Sequence, residues 1–175
     1  MKNFEQSIYP ELSELGAQRK LEGTLSEEFY DVGDMRLQTP AGIQYSITLT
    51  NTGDAILLQG EVRAHAQTEC ARCLEAAEVE ICGEAQGYFL LEQKEEVEGY
   101  EEDEFDVISQ DGKFDISDSI LAALVDATPF VILCKDDCKG LCAQCGANLN
   151  EGACSCSDEP DPTNPFSVLA NLKFD

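Results

Sequence analysis

Ile43-Gln44-Tyr45-Ser46-Ile47-Thr48-Leu49-Thr50 alternates apolar and polar side chains with a period of two, as a strand with one buried face must. Asn51-Thr52-Gly53-Asp54 then supplies turn chemistry, because Asn, Asp and Gly accept the backbone angles that a reversal needs. The alternation resumes from Ile56 to Thr68. Leu58, Gly60, Val62, Ala64 and Ala66 share one face, and Gln59, Glu61, Arg63, His65 and Gln67 share the other. After Cys70-Ala71-Arg72-Cys73 a third run places Ala77, Val79, Ile81, Gly83, Ala85, Gly87 and Phe89 on its apolar side. Three such runs predict an antiparallel meander with the Cys-x-x-Cys at the tip of its second hairpin. The facing rows are rich in Gly60, Ala64, Ala66, Gly83, Ala85 and Gly87. Small residues there let strands curve strongly or accept a close neighbour, which predicts a half-open barrel or curved sheet.

Outward from this centre the pattern is weaker. Lys20 to Leu25 reads as a strand and Phe29 to Leu37 as a further one, while Pro10 to Leu15 fits a helical turn or an extended arm. Residues 92–106 form an acidic stretch whose like charges resist compaction. Asp115 or Ser117 is placed to cap a helix running to about Asp126, with Ile116, Ile120, Ala123, Leu124 and Ala127 at helical spacing. Thr128-Pro129 ends it. This helix is expected to cover the apolar sheet face. The chain thus divides into a β-rich α+β body (1–130), a cysteine-rich module (131–157) and a tail (158–175). In the tail a Pro-rich linker leads to a short helix, with Asn164 as cap and Phe166, Leu169 and Leu172 as its apolar residues.

Six of the nine cysteines lie between Cys134 and Cys156. They form the pairs Cys134/Cys138, Cys142/Cys145 and Cys154/Cys156, and Cys70/Cys73 is a fourth pair. Zinc takes four thiolates as two close pairs, so four pairs make two sites. One arrangement closes a local site from Cys142, Cys145, Cys154 and Cys156, and joins Cys134 and Cys138 to Cys70 and Cys73. The rival is a single site from Cys134, Cys138, Cys142 and Cys145, with the other pairs free or reversibly oxidised. Gly140 and Gly146 flank the third pair and let backbone amides turn toward sulfur. Four-thiolate sites leave no position for water, so their role is structural. Redox chemistry lacks its usual warrant, because Cys70 and Cys73 join two strand-like runs instead of opening a helix. The spacings also differ from ferredoxin patterns. Cys82, between Glu80 and Glu84, is expected to be an unligated thiol, and His65, the only histidine, a surface imidazole.

A net charge of −24 repels phosphate backbones and attracts basic partners. The amino terminus has no apolar leader core, and no run reaches the length of a membrane span, so a cytoplasmic, reducing setting is expected. No phosphate-binding glycine loop and no nucleophile elbow occurs, and His65 has no partnered nucleophile. The expectation is a non-enzyme without a small-molecule substrate.

Three segments together resemble the YceD family of large ribosomal RNA subunit accumulation proteins. They are Glu69-Cys70-Ala71-Arg72-Cys73-Leu74, Leu133 to Asn150 with its two cysteine pairs, and Asn164-Pro165-Phe166 to Lys173. The resemblance implies a non-enzymatic role in ribosome biogenesis or in maintaining large-subunit ribosomal RNA, with metal sites that build the fold. Two kinds of partner follow. The acidic surface suits a basic ribosomal or ribosome-assembly protein. Alternatively, Arg72, Lys135 and Lys139 at the zinc knuckles would contact structured ribosomal RNA within a particle.

Overall fold

The computed structural model describes residues 4–91 and 106–156. The acidic stretch, apart from Asp106, and the expected tail helix therefore lie outside the described residues.

The meander forms the centre. β5 (Ile43–Asn51), β6 (Ala55–Glu69) and β7 (Ala76–Leu90) pair antiparallel in sequence. Asn51 shapes the first turn: its Oδ1 accepts the Gly53 N–H at 2.7 Å, and its Nδ2 donates to the Leu12 carbonyl at 2.7 Å. That second bond satisfies a buried amide and holds the 9–16 turns, neither helix nor arm, against the sheet. Leu12 is fully buried there.

β6 is the spine. One of its edges pairs with β7 over all 15 residues, from Ala55↔Leu90 to Glu69↔Ala76. The other edge is divided between β5 and, farther along, β4 at Gln38↔Gln67. A strand of this length extends roughly 50 Å, too far to stay flat around one small core. Small residues in β6 and β7 admit close neighbours. A Cβ on Gly60 would strike the Ser46 and Ile47 backbone, and one on Gly83 would strike the Ala123 carbonyl.

Four of the remaining six strands extend this sheet. β2 (Gln18–Leu25) adds to β5, as the Lys20 to Leu25 run predicts. Phe29 to Leu37 is two strands instead of one. β3 (Phe29–Val32) and β4 (Met35–Gln38) form a hairpin closed by Gly33-Asp34, with Gly33 at φ 59°. Gly-X at a two-residue reversal is the sequence signal for this hairpin. β8 (Asp106–Val107) adds a short parallel pairing to β7, while β1 (Glu5–Ser7) and β9 (Lys113–Asp115) make a separate ribbon. The main sheet is not closed.

α1 (Ser117–Ala127) packs on β7, β6 and β3, burying Ile120, Ala123 and Leu124. Truncating a side chain such as Leu124 in this position costs about 2–5 kcal/mol. Ile116, not Asp115 or Ser117, occupies the cap position. Asp115 nevertheless serves the helix start: its Oδ1 accepts the N–H of Ser117 at 2.9 Å, and also that of Phe4 at 3.0 Å. At the other end the Tyr30 and Thr128 hydroxyls meet at 2.9 Å, both buried, and tie the helix exit to β3. The chain leaves α1 directly toward the cysteine-bearing end of the β6–β7 hairpin.

Candidate metal centres

The β6–β7 hairpin ends in a knuckle. The Cys70 amide donates to the Glu75 carbonyl (2.7 Å) and the Leu74 amide to the Cys70 carbonyl (3.0 Å), which aims the thiols of Cys70 and Cys73 to one side. The segment after α1 runs past that side, with the Ala71 amide bonded to the Ile132 carbonyl at 2.9 Å. It delivers Cys134 and Cys138. The four sulfur atoms lie within 4.8 Å of one another. Cys70 Sγ is 3.7 Å from Cys138 Sγ, and Cys73 Sγ is 3.5 Å from Cys134 Sγ. A tetrahedral ion with metal–sulfur bonds of about 2.3 Å holds its sulfur atoms about 3.8 Å apart, close to these separations.

The second tetrad is Cys142, Cys145, Cys154 and Cys156, again within 4.8 Å of one another. It is built locally. The Cys142 amide reaches the Ala147 carbonyl (2.8 Å), the Gly146 amide returns to the Cys142 carbonyl (2.9 Å), and a bridge joins Leu141 to Asn148. Gly146 turns this loop at φ 73°. The two tetrads differ in exposure. Cys70, Cys73 and Cys138 are buried, whereas no member of the second tetrad is. The rival grouping of Cys134 and Cys138 with Cys142 and Cys145 does not occur. No disulfide joins any of the nine cysteines.

Each tetrad ionises unevenly by itself. Burial opposes a thiolate at Cys70, yet the backbone amides of Arg72, Cys134 and Cys73 bring it down to about 6. The amides of Cys145 and Gln144 bring Cys142 down to about 6. In contrast, desolvation and the neighbouring thiols of Cys73 and Cys138 push Cys134 up to about 12. The Cys145 thiol and desolvation do the same to Cys156, also about 12. Adjacent thiolates repel, so four of them together call for a cation, and a bound metal ion would supply that charge. A cage of four thiolates around such an ion leaves no open position for a reacting water.

Two residues other than cysteine complete the surroundings of the buried tetrad. Asn150 Nδ2 points at Cys138 Sγ from 3.4 Å and also donates to Asn148 Oδ1 at 3.0 Å, while its Oδ1 accepts the Lys139 amide at 2.9 Å. It therefore links the second loop to the first tetrad. Arg72 Nη1 donates to the Cys138 carbonyl at 2.9 Å, and the Arg72 carbonyl receives the Leu141 amide at 3.2 Å. Gly140 permits that approach at φ 75°, where a Cβ would stand 3.1 Å from the Arg72 carbonyl. The Asn148-x-Asn150 spacing was the available signal for these contacts. Cys82 is exposed, opposite Arg63 in the β6–β7 register. His65 is half exposed, its Nε2 3.5 Å from a Glu78 carboxylate oxygen. Neither joins a tetrad.

Residues 58–173, which run from β6 through both tetrads, match the family described as large ribosomal RNA subunit accumulation protein YceD. This chain belongs to the YceD family. It is also similar to uncharacterised mycobacterial proteins. One from Mycobacterium leprae is 31% identical over 62% of this chain and 50% of its own length. Others from Mycobacterium tuberculosis and Mycobacterium bovis are 30% identical over 61% of this chain and 51% of their own. The chain spans about half the length of these relatives. No solved structure matches it. Among the described residues, no helix of this YceD-family chain is long and apolar enough to cross a membrane.

Proposed function

We propose that this YceD-family chain is a non-enzymatic cytoplasmic factor in ribosome biogenesis that supports accumulation of the large ribosomal RNA. Each cysteine tetrad holds one structural zinc ion, and the acidic surface engages a basic ribosomal or ribosome-assembly protein. In this reading the body (1–130), the zinc module (131–157) and the tail (158–175) are its working parts. The observation that carries the reading is the family match, which spans both tetrads.

The net charge of −24 favours a protein partner over bare RNA. The geometry of the knuckles supports the same choice. Arg72 spends a guanidinium N–H on the Cys138 carbonyl, and Lys135 Nζ lies 3.9 Å from an Asp137 carboxylate oxygen. Two of the three cations suited to phosphate contact are therefore partly engaged within the chain. Native mass spectrometry of the reduced protein should find two zinc ions, and one or none would contradict the reading. A pull-down from the native host under reducing conditions should co-purify a large-subunit protein. Tight binding to naked ribosomal RNA, with a steep salt dependence, would instead establish direct RNA contact.

A further inference from the structure

Beside the buried tetrad, β4, the end of β6 and the knuckle enclose an open groove of about 810 Å³, within the size range of clefts that accept ligands. Its apolar wall includes Met35, Ala71, Leu74, Ala76 and Phe130. Two of these side chains contribute little to the core. Phe130 is 95% exposed and Leu74 is 61% exposed. Leu74 also occupies the left-handed region at φ 62°, a conformation that glycine or asparagine adopts more cheaply than leucine. Asp34 and Glu69 line the same groove as exposed carboxylates. Arg36 is the sole cation of the lining. It already makes two bonds to Asp31, at 2.8 and 3.0 Å, and stacks 4.1 Å from the centre of the Phe29 ring.

We infer that this groove docks a basic peptide segment presenting one large apolar side chain. The site rests on the basic-partner reading above and supplies the surface for it. Leu74 and Phe130 offer an apolar seat, and Asp34 and Glu69 offer carboxylates to the cations flanking the anchor. The buried tetrad sets the geometry. Leu74 follows Cys73, and Phe130 lies two residues before Ile132, whose carbonyl binds the Ala71 amide within the knuckle. Metal at this tetrad therefore holds both walls in place.

The test uses the full zinc-loaded chain and two synthetic peptides. One has a central Phe flanked on each side by three Lys or Arg, and the other has Gly at the centre. Titration followed by amide NMR at physiological salt should shift Ala71, Leu74, Met35 and Phe130. Affinity should fall at least tenfold for the Gly peptide, and at least tenfold for the Leu74→Gly/Phe130→Ser chain. Leu74→Gly relieves the positive φ, so its single variant separates lost docking from lost folding. Equal binding of both peptides, or shifts spread over Glu61, Glu80 and Glu84, would overturn the docking site. So would a dimer released by Phe130→Ser, or displacement of the groove signals on deleting 158–175. Those two results would make a second copy or the chain's own tail the occupant. Proteins extracted from purified large subunits separate this inference from the function itself. Equal retention by the wild type and the double variant overturns the groove alone. Retention by neither overturns the basic ribosomal partner, while the peptide titration still decides the groove.

Discussion

The two cysteine tetrads have the same donors and nearly opposite surroundings. Cys70, Cys73, Cys134 and Cys138 join segments more than sixty residues apart, and three of the four are buried. Cys142, Cys145, Cys154 and Cys156 close a short local loop at the surface. A cross-link between distant segments removes more freedom from the unfolded chain than a local one does. Identical chemistry should therefore stabilise the body in the first case and shape only a loop in the second. The buried tetrad is a clasp between the hairpin and the segment after α1. The exposed one is a knuckle appended to it.

The largest contrast should come from removing one ligand of each. Cys70→Ser should cost about 3 kcal/mol or more, lowering the melting midpoint by roughly 6–12 °C for a chain of this size. Calorimetry in reductant measures it, and an unchanged midpoint would mean that the clasp carries no structural weight. Chelator competition should resolve two phases, with the exposed tetrad releasing its ion at least tenfold faster than the buried one. A single phase would erase the distinction between the sites. Asn150→Ala removes the amide that faces Cys138 and the bond to Asn148. It should cost about 1 kcal/mol and accelerate release from the buried tetrad. If only the exposed tetrad responds, Asn150 belongs to the loop and not to the clasp. The smallest effect is expected from Cys145→Ser, which should lose one ion by native mass spectrometry but leave the melting midpoint of the body within roughly 2 °C.

Much of this arrangement is legible in the sequence. Alternation from Ile43 to Phe89 reported the buried face of each meander strand, because a strand between solvent and core must repeat every two residues. Cysteine spacing reported the pairs, because two thiolates on one tight turn are already positioned for one ion. The Phe29 to Leu37 hairpin was obscured because its strands are only four residues long, too short for a period to stand out from its turn. Local spacing points to Asp115 or Ser117 as the cap, but Ile116 holds that position, and the Asp115 carboxylate is shared with Phe4 across 111 residues, a contact that spacing cannot show.

The sequence by itself determined local matters: which residues alternate, where the chain turns, and which thiols come as pairs. Each depends on neighbours within a few positions. Tertiary structure alone decided which pairs meet, because that depends on the path from α1 to the hairpin tip. It also brought Asn150 against Cys138, directed Arg72 into its own knuckle, and left Leu74 and Phe130 facing solvent around one groove. Such contacts join residues that share no local period, and packing is the only force that brings them together.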